Sequence, residues 1–290
     1  MDNQKIIIVG ADFSWEEEKL MAACDSSDFV LLGELEVEIG DKVLFIRRGT
    51  DFFEGLQGDE RFIIRRSRGA FEKLLALVAA LEKRGYIFTD SFRSISTNLN
   101  KEIFLATVES EIFPHPQGFF SHGMSDKLSG RILEFPLISK PVTGRHGEGI
   151  EIHQDQESLK RAVVMKDENF LIQKFIEIEA EYRILVVGDR ALGAVSKKPA
   201  EGKNIANYAA GASFNQADLS EELLAEAVRL CIVQEIDIGG VDIVKSKDQK
   251  YYLLEINRCP EFKAFSTATQ IDVAEHIIEF IKKKSSKTTH

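Results

Sequence analysis

The chain has little that would tie it to a membrane, an oxidising compartment or nucleic acid. No apolar run in it approaches the ~20 residues that a membrane-spanning helix needs. Its start, MDNQKIIIVGADF, carries one lysine before the short apolar run IIIV and then an aspartate, which reads as an opening strand rather than a signal peptide. Only three cysteines occur, Cys24, Cys231 and Cys259, widely spaced and without a CxxC. That argues against a disulfide framework or a zinc site and makes a reducing cytoplasm the expected location. Basic charge is in deficit: 37 Lys and Arg against 47 Asp and Glu leave a formal charge of −10, which speaks against a nucleic-acid partner. Hydrophobic residues, at 44%, are ample for a core, and 290 residues hold one large domain or two to three small ones.

What is present begins with alternating strand and helix. IIIVG, VLFIRR and YIFTD read as strands of a mostly parallel sheet, SWEEEKLMAACDS as a helix capped by Ser14, and GAFEKLLALVAALEKRG as the strongest helix. In that helix Phe71, Leu74, Leu75, Val78 and Leu81 form one apolar stripe, and Gly85 stops it. From about Ser94 the texture changes. NLNKEIFLATVESEI is helical, LEFPLISKPV, FLIQKFI, YRILVVGD and RALGAVSKK are strands, and a polar loop covers 199–216. The helices LSEELLAEAVRLCIVQEI and IDVAEHIIEFIKKK flank the stretch GGVDIVKSKDQKYYLLEIN.

That stretch reads as a hairpin with Asp248 and Gln249 at its centre. Such a register places Asp242 opposite Glu255, and alternation puts Asn257 on the same face. Two carboxylates ~5 Å apart repel by about 3 kcal/mol at an effective dielectric of ~20. A hard cation such as Mg²⁺ turns the repulsion into attraction, since it takes oxygen ligands from one or two carboxylates and substrate phosphates. The glycines at 144, 147 and 149 in TGRHGEGIEI match neither a Walker loop nor a GxGxxG opening a helix. They allow a plain turn, or a backbone laid closely over phosphates. Lys140, seven residues before Gly147, either snorkels to solvent or neutralises phosphate charge there.

In order, a lysine-bearing helix, SKPVTGRHGEGI, LIQKFI, EYRILVVGD, GGVDIV and LEIN resemble the ATP-grasp superfamily, and within it RimK-like and glutathione synthetase-like carboxylate–amine ligases, over roughly residues 95–285. The resemblance implies an α/β (α+β) ATP-grasp fold. A small N-terminal pre-ATP-grasp domain at 1–93 would precede a central subdomain at 94–172 with a glycine-rich lid, and a C-terminal subdomain at 173–290 with the metal hairpin. It assigns Lys101 and Lys140 to ATP phosphates, Gly144, Gly147 and Gly149 to the lid, and Gln173, Lys174, Phe175 and Ile176 to the adenine. Glu181 would hold the ribose hydroxyls, and Arg183, Lys198 and Asn207 the reacting phosphate. Asp242, Glu255 and Asn257 would bind Mg²⁺, with Mn²⁺ as the alternative ion.

The implied reaction activates a carboxylate as an acyl phosphate at the expense of ATP and joins it to an amine. The loop text NYAAGA stands where protein-modifying relatives carry His-Arg-Gly-Gly and is nearer to the Ala-Ala-Gly-Gly of bacterial glutathione synthetases, and NRCPEF stands where Asn-Ala-Ser-Pro-Gly is usual. These departures argue against glutamate addition to a ribosomal protein. The LFIRRGTD stretch resembles enzymes that cross-link peptide side chains. Peptide or protein modification is therefore favoured over a small-molecule amino-acid ligase, and a non-catalytic ATP-binding module is the reading of another class. The family is often dimeric or tetrameric, which makes a homo-oligomer an expectation. Cys259 reads as packing, because the chemistry needs no side-chain nucleophile.

Overall fold

A computed structural model describes residues 4–37, 44–48, 52–98, 101–108, 110–121, 134–142, 149–164, 169–198 and 213–285. The N-terminal sheet is four-stranded and parallel, in the order Ser27–Leu31, Ile6–Gly10, Arg61–Ile64, Ile87–Phe88. IIIVG is buried on both faces, as a central parallel strand requires. Ile7 and Val9 meet the stripe of helix Phe71–Lys83, while Ile6 and Ile8 face Leu20 and the closing helix Val273–Lys283. The second strand of this sheet is thus Ser27–Leu31. The VLFIRR segment, expected in the parallel sheet, instead supplies Leu44–Arg48 to a separate antiparallel meander with Leu35–Val37 and Phe52–Gly55. Its alternation, with Leu44 and Ile46 buried, suits a sheet covered on one side only.

The helix expected over NLNKEIFLATVESEI is the shorter Lys101–Thr107, and a separate helix, Phe92–Thr97, capped by the Ser91 side chain, precedes it. A second sheet, antiparallel, runs Glu151–His153, Leu137–Pro141, Phe170–Lys174, Gly118–Ser121. Helix Gln156–Val164 covers one face through Leu159 and Val163 against Leu137, Phe170 and Ile172.

The third sheet, five-stranded and antiparallel, runs Ser213–Ala217, Arg190–Lys198, Ile178–Val187, Ile238–Ser246, Tyr251–Asn257. The expected loop over 199–216 therefore yields to a strand at Ser213. One face is apolar at its centre, where Ile184, Val186, Val241 and Ile243 pack on helix Glu221–Val233. The other face is divided. Leu185, Val187, Val195 and Ile238 lie beneath the C-terminal helices, and beyond that cover the face turns charged. No helix among the described residues is long and apolar enough to cross a membrane.

Candidate active site

The charged half of that face carries Glu181, Arg183, Lys197 and Asp242. Arg183 and Asp242 are direct cross-strand partners, as are Glu181 and Lys197. Arg183 donates from Nε to Asp242 Oδ1 and from Nη2 to Asp242 Oδ2, both at 2.7 Å, a two-pronged contact that suits guanidinium and carboxylate. Lys197 Nζ reaches over the intervening strand to Asp242 Oδ2 at 2.6 Å and also donates to Glu181 Oε1 at 2.9 Å. Asp242 and Lys197 are buried. Burial alone would raise the Asp242 carboxyl, but the guanidinium and the ammonium outweigh it and hold Asp242 at about 2. Glu181, with only Lys197 in direct contact, moves the other way: burial pushes its carboxyl up.

Two glycines make the arrangement possible. A Cβ on Gly240 would lie 3.0 Å from the Pro260 Cβ and 3.4 Å from the Arg183 Nε, so the bare backbone is what lets Arg183 cross to Asp242. On the opposite face, a Cβ on Gly239 would meet the Cys231 Sγ at 2.5 Å.

Asp242 faces Glu255, and Asn257 pairs with Gly240 on the same face. The pairing arises differently from the simple hairpin. The turn is centred on Asp248, so the pairing beside it is shifted by one residue, with Lys245 opposite Tyr251 and Ser246 N donating to Lys250 O. A bulge between Asp242 and Ile243 then restores the register that brings Glu255 to Asp242. A second bulge decides which lysine faces Asp242. Extended without interruption from the turn at Val187–Arg190, the hairpin would put Lys198 on the Arg183 face. The register shifts between Leu185 and Val186, so Lys197 takes that face and the exposed Lys198 the other. Lys197 is the functional candidate that the sequence did not single out.

Asp242, Glu255 and Asn257 offer the oxygen donors that a hard divalent cation takes, while among the described residues no group of three His, Cys, Asp or Glu is placed to hold a metal ion. Glu255 is exposed, the Asn257 amide oxygen accepts from Cys259 N at 3.0 Å, and, among the described residues, Asp242 uses three of the roughly four lone-pair positions of a carboxylate. Cys259 is buried, and burial pushes its thiol up, which agrees with a packing role.

On the antiparallel sheet of the central region, Lys140 and Gln173 share the face away from helix Gln156–Val164. Lys140 Nζ donates to Gln173 Oε1 at 3.2 Å, and Gln173 Nε2 donates to Pro116 O at 3.0 Å. Lys174 is exposed, whereas Phe175 and Ile176 are half-buried in the short link to Ile178–Val187. Gly149 has φ +72°, and a Cβ there would sit 2.7 Å from the Pro141 Cγ. Lys101 opens its helix, but its side chain, with Gly144, Gly147 and Asn207, lies outside the described residues.

A family model for the RimK-like ATP-grasp domain matches residues 119–281, more than half of the chain. A Trichodesmium erythraeum protein named probable alpha-L-glutamate ligase is 30% identical over 219 residues, 73% of each chain. Among solved structures, the macrocyclase MdnC bound with precursor peptide MdnA, from Microcystis aeruginosa, superposes with a TM-score of 0.74 over 97% of this chain and 100% of that one, at 15% identity. The ATP-grasp ligase PsnB, complexed with a phosphomimetic variant of its minimal precursor, Mg and ADP, gives 0.70 over 96% and 98%, also at 15% identity. At such identities the likeness is one of fold, and it extends over the N-terminal sheet that the family model does not reach.

Proposed function

Because the chain belongs to the RimK-like ATP-grasp family, and is thereby an ATP-dependent carboxylate–amine ligase, we propose that it modifies a peptide or protein, with the charged face of the five-stranded sheet as its reaction centre. One observation carries the assignment of the centre: Arg183, Lys197, Asp242 and Glu255 converge on one face of a β-ladder where the apolar cover ends.

ATP would bind between Lys140 with Gln173 on one side and this face on the other, with Phe175 and Ile176 beside the adenine. Glu255 and Asn257, with Asp242, would hold Mg²⁺, which supplies charge neutralisation at the phosphate oxygens when bound. Arg183, fixed by its two bonds to Asp242, presents a preorganised positive charge where the substrate carboxylate attacks the γ-phosphorus. Because the Arg183 guanidinium and the Lys197 ammonium outweigh burial and keep Asp242 ionised, its two bonds to Arg183 persist at neutral pH. The acyl phosphate formed is then taken by an amine, with phosphate as the leaving group.

The peptide reading is supported by likeness over nearly the whole chain to ligases complexed with precursor peptides. The relatives named glutamate ligases support glutamate as the alternative donor. Incubation with ATP, Mg²⁺ and candidate peptides, followed by mass spectrometry, tests both. Loss of water or gain of a glutamate residue on a peptide is the expected result; addition only to free amino acids would overturn it. Glu255→Gln, which removes a charge at constant volume from an exposed side chain, should leave the melting transition in place and lower turnover by at least ~10²-fold.

A further inference from the structure

We infer that Lys197 is the resident cation of this centre, reserving Asp242 so that a divalent ion enters only together with a nucleotide. The inference rests on the ligase reading and extends it to the order of binding.

The group contains two carboxylates, half-buried Glu181 and buried Asp242, and two cations, half-buried Arg183 and buried Lys197, so it is electroneutral without a metal. A free divalent ion arriving there would add two positive charges beside two others, with Glu255 as the added counter-charge. An ion that arrives on ATP brings the phosphate charge with it, and the repulsion is gone.

Of the two resident cations, Lys197 is the one able to yield. Arg183 holds both oxygens of Asp242 through its rigid fork, with its Nε lying close over Gly240. Lys197 makes a point contact from a flexible stem and already has a second carboxylate, Glu181, at 2.9 Å. If it leaves Asp242 it is therefore not left as an unpaired buried charge, the state that costs most. Lys197 is a positioning residue here: it acts on the metal through Asp242 and Glu181.

The test reads Mn²⁺ binding by electron paramagnetic resonance, with and without a non-hydrolysable ATP analogue. Wild type should bind Mn²⁺ weakly alone and far more tightly with the analogue. Lys197→Met keeps the stem and leaves one net negative charge, so nucleotide-free Mn²⁺ affinity should rise by about tenfold or more. Lys197→Arg should behave as wild type; a rise there would overturn the proposal. The double variant Lys197→Met with Glu181→Gln restores neutrality and should return towards wild type. Should Lys197→Met alone fail to melt cooperatively, Glu181→Gln supplies the background: adding Lys197→Met to it takes the group from one net positive charge to none and should again tighten Mn²⁺. Unchanged or weaker affinity on removing Lys197 sinks the idea. If wild type binds no Mn²⁺ even with the analogue, the metal assignment of Asp242, Glu255 and Asn257 falls, and this inference with it. If Mn²⁺ binds with the analogue but the lysine series is flat, only the resident cation is lost.

Discussion

Two aspartates, Asp242 and Asp90, are buried to the same degree and behave in opposite ways. Asp242 meets Arg183 at 2.7 Å and Lys197 at 2.6 Å, and its carboxyl is held at about 2. Asp90 has one arginine, Arg258, at 3.4 Å, and shares its surroundings with a second acid. Its backbone N donates to Asp237 Oδ2 at 2.7 Å, and Asp237 N donates back to Asp90 Oδ1 at 2.9 Å. Lys284 neutralises Asp237 rather than Asp90 in direct contact, and burial pushes Asp90 up to about 6. Burial is the same in both places; the number and closeness of cations decide the outcome. The first arrangement builds a centre of permanent charge. The second is a clasp that ties the end of Ile87–Phe88 to the turn before Ile238–Ser246.

The sharpest way to separate them is to neutralise each acid at constant size. Asp242→Asn leaves Arg183 and Lys197 buried against an amide and should cost about 3–5 kcal/mol. Denaturant unfolding would show it as a large fall in midpoint, and phosphate release from ATP should be lost as well. A loss under ~1 kcal/mol would mean that the quartet is not an interdependent unit.

Gly240→Ala attacks the same quartet without touching a charge. The new methyl would press on Pro260 and on Arg183, an overpacking that typically costs about 1–3 kcal/mol. Unfolding midpoint and phosphate release should fall together; stability lost with full turnover would show that Arg183 holds its place without the gap.

How much of this the sequence displayed depended on register. Apolar periodicity revealed the helices Phe71–Lys83, Glu221–Val233 and Val273–Lys283, and the strand runs of the five-stranded sheet. Ser27–Leu31 was hidden, because an edge strand with exposed Leu31 carries little apolar signal. In the site, Asp242 and Glu255 were legible as a pair even though the pairing beside the turn was misjudged by one residue, since the bulge cancels that error. At the bulge between Leu185 and Val186 no such cancellation occurs: Lys198 was assigned by resemblance alone, and Lys197, which the sequence did not single out, is the lysine that meets Asp242. A bulge leaves composition and alternation almost unchanged while swapping which residues face the site.

The acid limb of stability extends the comparison. The folded Asp242 value lies below the ordinary 3.8, so its contribution, about 2 kcal/mol, is fully present above about pH 4. It is lost as pH falls through about 2. Stability of wild type should therefore decline with a proton-uptake slope in that window, read as unfolding midpoint against pH. In Asp242→Asn that component should be missing.

Asp90 should give the smallest effect and the opposite sign. Its folded value of about 6 lies above the ordinary 3.8, so its ionisation opposes folding. The stability it confers is greatest below about pH 4 and is lost as pH rises through about 6. Asp90→Asn removes that titration. It keeps an oxygen to accept from Asp237 N and suits the left-handed backbone at φ 60°, which asparagine tolerates. What it gives up is the single contact with Arg258 at 3.4 Å. The two changes offset at neutral pH, so the variant should lie within ~1 kcal/mol of wild type there and gain on it steadily between about pH 4 and pH 7. Melting temperature against pH for both proteins reads this directly. A loss as large as that of Asp242→Asn would show Asp90 to be a strong ion-pair partner after all, and cation count would no longer explain why two equally buried acids part ways.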